Sequence, residues 1–254
     1  MTSLDLNADL GEGYGPWKMG DDAAMLDIVS TANIACGAHA GDPQTMRETI
    51  GAAKSRRVAV GAHPGYADLI GFGRRALPGV TASEIENLVA YQVGAFGALA
   101  ALAGHSATHV KTHGALGNAC AVDDGLADAV ARGIRAVDAS LAFMVMPGMA
   151  TARASDRAGL KPIYEIYADR TYAPDFNLTP RARPDAMIQD TDFALLRVIE
   201  AVETRRLTAT DGSKLAVEID SICVHGDSPG AVAMANRLRA GLEAAGYTIR
   251  SSLG

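Results

Sequence analysis

The chain is poor in aromatic residues, in cysteine and in clustered charge. Of 254 residues only 5% are aromatic, and the three cysteines, Cys36, Cys120 and Cys223, are widely spaced with no CxxC. That excludes a disulfide framework and fits three buried small side chains in a reducing compartment. No basic block occurs and the net charge is −6, which argues against a nucleic-acid-binding face. The longest apolar stretches are interrupted by charge or glycine, so no membrane span is expected. The first nine residues lack the basic n-region of a signal peptide, and a cytoplasmic location is the expectation. No GxGxxG follows the first strand, and neither a GxxxxGK[ST] P-loop nor a GxSxG elbow is present. What the chain has in quantity is small residues, 48 Ala and 27 Gly, so its core must rely on close packing of backbone elements. A single domain of this length buries about three quarters of its unfolded surface and needs no metal merely to fold.

Short apolar runs alternate with longer helical patterns. The runs 4–8, 32–36, 58–62, 108–112, 141–146, 163–168 and 219–224 read as strands, and 23–30, 43–56, 82–103, 124–137, 149–158, 191–205 and 229–245 as helices. Asp42-Pro43 supplies a cap with proline at the first helical position, Thr81 and Glu84 read as a capping box, and Ser228-Pro229 repeats the cap-then-proline pattern. Gly104 and Gly246 read as helix stops. Seven βα units without consecutive strands imply parallel pairing with right-handed crossovers. The expected fold is a single TIM-like (β/α) barrel over residues 1–254, with seven main strands. The proline-containing stretch 169–190 reads as a lid or binding loop.

Polar residues collect just after the strands. Asn7, Asp9 and Glu12 follow the first, His39 and Asp42 the second, His63 the third, Lys111 and His113 the fourth, Asp169 and Arg170 the sixth, and His225 and Asp227 the seventh. In parallel α/β folds those carboxyl ends converge on one face, where active sites sit. Asp and His at neighbouring strand ends can relay protons or orient water, and Lys111 can stabilise charge developing on an oxygen. His63, His113 and His225 are candidate metal ligands, although no fixed-spacing pair such as HExxH supports them. Arg74 and Arg75, between glycines, can clamp a carboxylate or phosphate. Structural roles stand beside these. Asp42 can simply cap its helix, Glu12 and Lys111 can form a buried ion pair joining two loops, and Ser228 can cap or help bind an anion. His105, beside a helix stop, reads as surface loop, and His109, at the start of its strand, as structural.

Seven stretches in order, DLNADLGEG (5–13), NIACGAHAGD (33–42), GAHPGY (61–66), GFGRR (71–75), HVKTHGAL (109–116), ADRTY (168–172) and VHGDSPGA (224–231), resemble the LamB/YcsF family of 5-oxoprolinase A subunits. The resemblance covers nearly the whole chain. It implies ATP-dependent opening of 5-oxo-L-proline to L-glutamate in a complex with B and C subunits, with ATP and magnesium as co-substrate, and a barrel of glycoside hydrolase/deacetylase type. By motif position it implies catalytic roles for Asp9, His63, Lys111, His113 and His225. It places Asn7, Glu12, His39, Asp42, Arg74, Arg75, Asp169, Arg170 and Asp227 around the substrate. Ala8, Thr112 and Gly117 depart from residues usual in the family. Two other functions remain open on the residues alone: a metal-dependent hydrolase or deacetylase, and a noncatalytic docking subunit.

Overall fold

The computed structural model describes residues 3–227 and 230–253. In chain order the elements are β1 (Ser3–Leu10), α1 (Asp22–Leu26), β2 (Thr31–Ala35), α2 (Pro43–Ser55), β3 (Ala59–His63), α3 (Ala82–Leu102), β4 (Ala107–Lys111), α4 (Gly114–Val122), α5 (Asp124–Val137), β5 (Ala142–Val145), α6 (Ala150–Ala158), β6 (Pro162–Tyr167), α7 (Thr191–Thr204), β7 (Arg206–Thr208), β8 (Lys214–Ala216), β9 (Ser221–His225), α8 (Ala231–Ala244) and β10 (Thr248–Ile249). Strands β1 to β6 and β9 pair in parallel in that order, and β9 pairs back to β1, which closes a barrel of seven parallel strands. This is the expected architecture. All seven expected strands form, with ends shifted by up to two residues. The short β10 pairs with Ser3 and Leu4 of β1.

Local signals account for several boundaries. Asp42 accepts from the backbone N–H groups of Gln44 and Thr45 at the start of α2, and Thr81 and Glu84 form a reciprocal capping box on α3. Gly104 and Gly246 end their helices with positive φ. The cap expected at Ser228-Pro229 lies outside the described residues, and α8 begins after Gly230. Besides the short β10, two features were not foreseen. Helix α4 has no side-chain cap and carries two glycines, so propensity gives little sign of it. The antiparallel hairpin β7–β8 lies within the stretch between α7 and β9, and its Asp211-Gly212 turn is the signal that was available. Helix α3 also departs from expectation, being long and apolar enough by composition to cross a membrane. In the fold it packs on β3, β4 and α5 and buries Ile85, Val89, Val93, Phe96 and Ala100.

Strand alternation here runs in an unusual sense. In β1 the apolar Leu4, Leu6, Ala8 and Leu10 join the core under the helices, whereas Asp5, Asn7 and Asp9 alternate with them and bond across the barrel interior. The same phase puts Asn33 of β2, His109 and Lys111 of β4, Glu165 of β6 and Cys223 of β9 into contact inside the barrel. A closed barrel excludes water, so each inward polar group must find a partner across it. At one place space decides the residue. Gly61 faces the His109 ring, and a Cβ on it would come within 2.4 Å of that ring.

Candidate functional site

The network is anchored at the lower end by Asp5, which accepts from Ser30 (2.6 Å), Thr31 (2.7 Å) and Ser221. One layer up, Asn7 donates to Ser221 Oγ (2.7 Å), and Asn33 Nδ2 donates to Asn7 Oδ1 and Asp9 Oδ1, both at 2.8 Å. Asn33 Oδ1 in turn faces His109 Nε2 at 2.7 Å. Burial holds the His109 imidazole at a pKa of about 3, with the Lys111 charge adding to the effect, so the ring is neutral at neutral pH. His109 therefore serves as a support for the site, as its expected structural role implied.

Lys111 is the charge at the centre. Its Nζ lies 2.9 Å from Asp9 Oδ1, 3.0 Å from Glu165 Oε2 and 3.0 Å from Cys223 Sγ. Burial alone would draw the ammonium toward neutrality, but Asp9, Cys223 and Glu165 outweigh it and raise its pKa well above the usual lysine value. Burial likewise pushes the Asp9 carboxyl up, and His63 and Lys111 overcome it, so Asp9 stays ionised far below its usual range. The partners of Lys111 are thus Asp9 and Glu165, and the ion pair with Glu12 considered from sequence does not form. Cys223, assigned only to packing, and Glu165, inside a strand, are two site residues that the sequence reading missed. Cys36 and Cys120 fit it, with thiols pushed up to about 12 by burial.

His225 ends β9 opposite Asp9. Its Nδ1 lies 3.0 and 2.8 Å from the two oxygens of Asp169, the first residue of the 169–190 loop. Burial raises the Asp169 carboxyl, but His225 more than compensates and keeps it ionised. A carboxylate can only accept, so Nδ1 carries the proton and Nε2 keeps its lone pair on a ring that lines the cavity. Tyr167 stacks on that ring, with centroids 5.3 Å apart, and donates its hydroxyl to Glu165.

On the other side His39, His63 and His113 gather with Glu12. The His39 and His113 rings are parallel at 3.7 Å, and His63 Nε2 lies 3.0 Å from His113 Nδ1 and 3.3 Å from Asp9 Oδ2. The backbone is shaped to admit these rings. Gly73 has φ +61°, and a Cβ there would lie 2.6 Å from His39 and 2.9 Å from His113. Gln92 of α3 holds the preceding loop by bonding both the N–H and the carbonyl of Gly65. Glu12 Oε1, His39 Nε2, His63 and His113 present ligand atoms within 4.8 Å of one another, which makes them the group best placed to hold a metal among the described residues. His225, the third histidine considered as a ligand from sequence, lies apart from that group in its pair with Asp169.

These side chains open onto a cavity of about 290 Å³ lined by Asp9, His63, Lys111, His113, Glu165 and His225, with Arg74 and Arg181 also on its wall. That is the small end of the ligand-pocket range, about 300–1000 Å³, and suits a small polar molecule. The remaining expected site residues divide. Arg74 reaches the cavity wall and pairs with Asp227 at 2.7 Å. Arg75 turns away to Asp68 and Asp42 stays with its cap, so neither lines the cavity. Arg170 lines it, yet its guanidinium holds the loop through the carbonyls of Thr179 (2.7 Å) and Ala186 (3.3 Å). Leu178, Pro180 and Arg181 from that loop form part of the wall, and Arg181 had no local signal in the sequence.

Residues 4–253 match the LamB/YcsF family. The chain belongs to the LamB/YcsF family. Similar LamB/YcsF relatives include the 5-oxoprolinase A subunit of Rhodopseudomonas palustris strain BisB5, 52% identical over 97% of both chains. That of Azorhizobium caulinodans is 53% identical over 98% of both. Among solved structures, the lactam utilization protein of Thermus thermophilus superposes with a TM-score of 0.93 at 38% identity, covering 98% of this chain and 100% of that one.

Proposed function

We propose that this chain is the component of a multi-subunit, ATP-dependent 5-oxoprolinase that holds 5-oxo-L-proline while its ring is opened to L-glutamate. The observation that carries the reading is the juxtaposition, in one small cavity, of a buried ammonium, Lys111, with an oriented base, His225 on Asp169. Relatives about half identical over nearly their full length are named as the A subunit of 5-oxoprolinase, which supports the substrate assignment. Arg74 and Arg181 supply the positive wall that the substrate carboxylate or a transferred phosphoryl group requires.

A lactam is a poor electrophile, which gives ATP its purpose. Transfer of the γ-phosphoryl group to the lactam oxygen makes the ring carbon electrophilic. Water adds there as His225 Nε2 takes its proton, and the ring C–N bond breaks as the nitrogen is protonated. The resulting acyl phosphate then hydrolyses to glutamate and phosphate. Lys111 faces the negative charge that develops on oxygen. Magnesium accompanies ATP as its counter-ion. The word "subunit" in the relatives' names supports partner chains, taken here as the B and C subunits. Trp17 and Ile70, 72% and 93% exposed on the loops after β1 and β3, are apolar surface that such partners would cover. The test is 5-oxoproline-dependent release of ADP and glutamate from the reconstituted three-subunit enzyme. Turnover that depends on this chain is expected, and full turnover without it refutes the proposal.

A further inference from the structure

The histidine cluster contains a contradiction that a proton count exposes. His63 Nδ1 lies 2.8 Å from the Lys111 carbonyl, which can only accept, so that nitrogen carries hydrogen; in the neutral ring Nε2, which also lies 3.3 Å from Asp9 Oδ2, is left with its lone pair. His113 Nε2 lies 2.9 Å from the Phe72 carbonyl, so by the same reasoning its Nδ1 is the bare one. The two bare nitrogens face each other at 3.0 Å. Beside them Glu12 Oε1 lies 3.5 Å from His113 Nδ1 and 3.5 Å from His39 Nε2. Glu12 Oε1 and both nitrogens of the fully buried His39 have no hydrogen-bond partner. Neutral His39 supplies one N–H, yet neither it nor Glu12 Oε1 finds a hydrogen-bond partner, and a cation would satisfy the converging lone pairs together.

We infer that Glu12, His39, His63 and His113 bind one divalent transition-metal ion of the zinc class at the floor of the cavity. The spacing suits it, because a tetrahedral ion with bonds of about 2.0–2.1 Å spreads its ligand atoms about 3.3 Å apart. Three of the six ligand–ligand separations are 3.0, 3.5 and 3.5 Å and none exceeds 4.8 Å, so an ion would draw the wider pairs in. Three imidazole nitrogens and one carboxylate oxygen favour zinc, cobalt or iron over magnesium or calcium, which prefer oxygen donors. The carbonyls that fix the His63 and His113 tautomers orient each ring. Since His63 and His113 line the cavity, an ion held there meets whatever occupies it and supplies Lewis-acid polarisation. The inference goes beyond the ring-opening proposal and does not depend on it.

The test strips the purified full chain with a chelator and titrates it with Co²⁺, followed by visible absorption, and then with Zn²⁺, followed by elemental analysis. One equivalent of Co²⁺ with the intense bands of tetrahedral coordination, displaced by Zn²⁺, is expected. Glu12→Gln and His63→Ala should weaken binding at least tenfold, whereas His225→Ala should retain it. A chain that is folded by circular dichroism yet binds neither ion stoichiometrically overturns the inference, and a proton shared by His63 and His113 would then explain their approach. Loss of binding in His225→Ala with retention in Glu12→Gln also overturns it. Neither readout involves 5-oxoproline turnover, so the outcome is separate from that of the functional proposal.

Discussion

Replacing Lys111 by methionine keeps the aliphatic stem and removes the charge. In the native chain its ammonium lies 2.9 Å from Asp9 and 3.0 Å from Glu165. At an effective dielectric constant near 20 each contact is worth about 5–6 kcal/mol of attraction, most of it offset by desolvating the ions. Removing one member of such a buried set costs about 3–5 kcal/mol, because the partners remain buried and uncompensated. Urea denaturation at pH 8 should show that loss. A second substitution, Glu165→Gln, should restore about 1–3 kcal/mol by removing one of the two stranded carboxylates. The pH dependence has a definite sign. Burial already pushes Asp9 up, and Lys111 is one of the charges that hold it down. Without Lys111 the folded-state pKa of Asp9 rises toward its unfolded value, so the stability that its ionised form contributes above the unfolded pKa shrinks. The gap between wild type and Lys111→Met should therefore be full at pH 5 and pH 8 and narrow as pH falls below about 4. A gap under about 1 kcal/mol at both pH values, or a double variant less stable than the single, would refute this reasoning.

Three further outcomes follow from the same geometry. His109 is held neutral at a pKa of about 3 against an ordinary 6.5, so the unfolded chain binds the extra proton between those values. The associated stability is fully present above pH 6.5 and falls by about 2 kcal/mol on acidification to pH 5. His109→Gln should lose that part of the slope in paired urea titrations, and an unchanged slope contradicts the assignment. Gly61→Ala should lower the melting temperature through an overpacking cost of about 1–3 kcal/mol, since its Cβ would meet the His109 ring at 2.4 Å, and an unaltered melt would mean the ring moves freely. Asp169→Asn should cut coupled turnover about 100-fold or more and alter its pH profile, because an amide no longer enforces the Nδ1 proton on His225. Equal profiles for variant and wild type would remove His225 as the base.

Much of the fold was legible because it rests on local signals. Seven apolar runs with helices between them, the Asp42-Pro43 cap and the Thr81–Glu84 capping box each report short-range physics, and all formed. Strand ends also located Asp9, His63, Lys111, His113 and His225, since parallel barrels bring those ends together. What the sequence concealed depends on closure. Asp5, Asn33, Glu165 and Cys223 lie within strands, and only a closed barrel shows that the polar phase of the alternation faces inward. Arg74 and Arg75 are adjacent in sequence, yet Arg74 reaches Asp227 while Arg75 reaches Asp68. Arg181 comes to the cavity on a loop whose path is set by Arg170, Thr179 and Ala186 rather than by a motif. His39 was marked by position alone, and its parallel stacking on His113 depends on the room left at Gly73.

The most direct measurement compares 5-oxoproline-dependent glutamate formation by the reconstituted enzyme carrying wild-type chain with that carrying Asp9→Asn or His225→Ala, each checked for assembly by gel filtration. Loss of at least about 100-fold in both variants, with the complex intact, is the predicted result. Wild-type turnover from an assembled complex of either variant would contradict a catalytic role for this cavity.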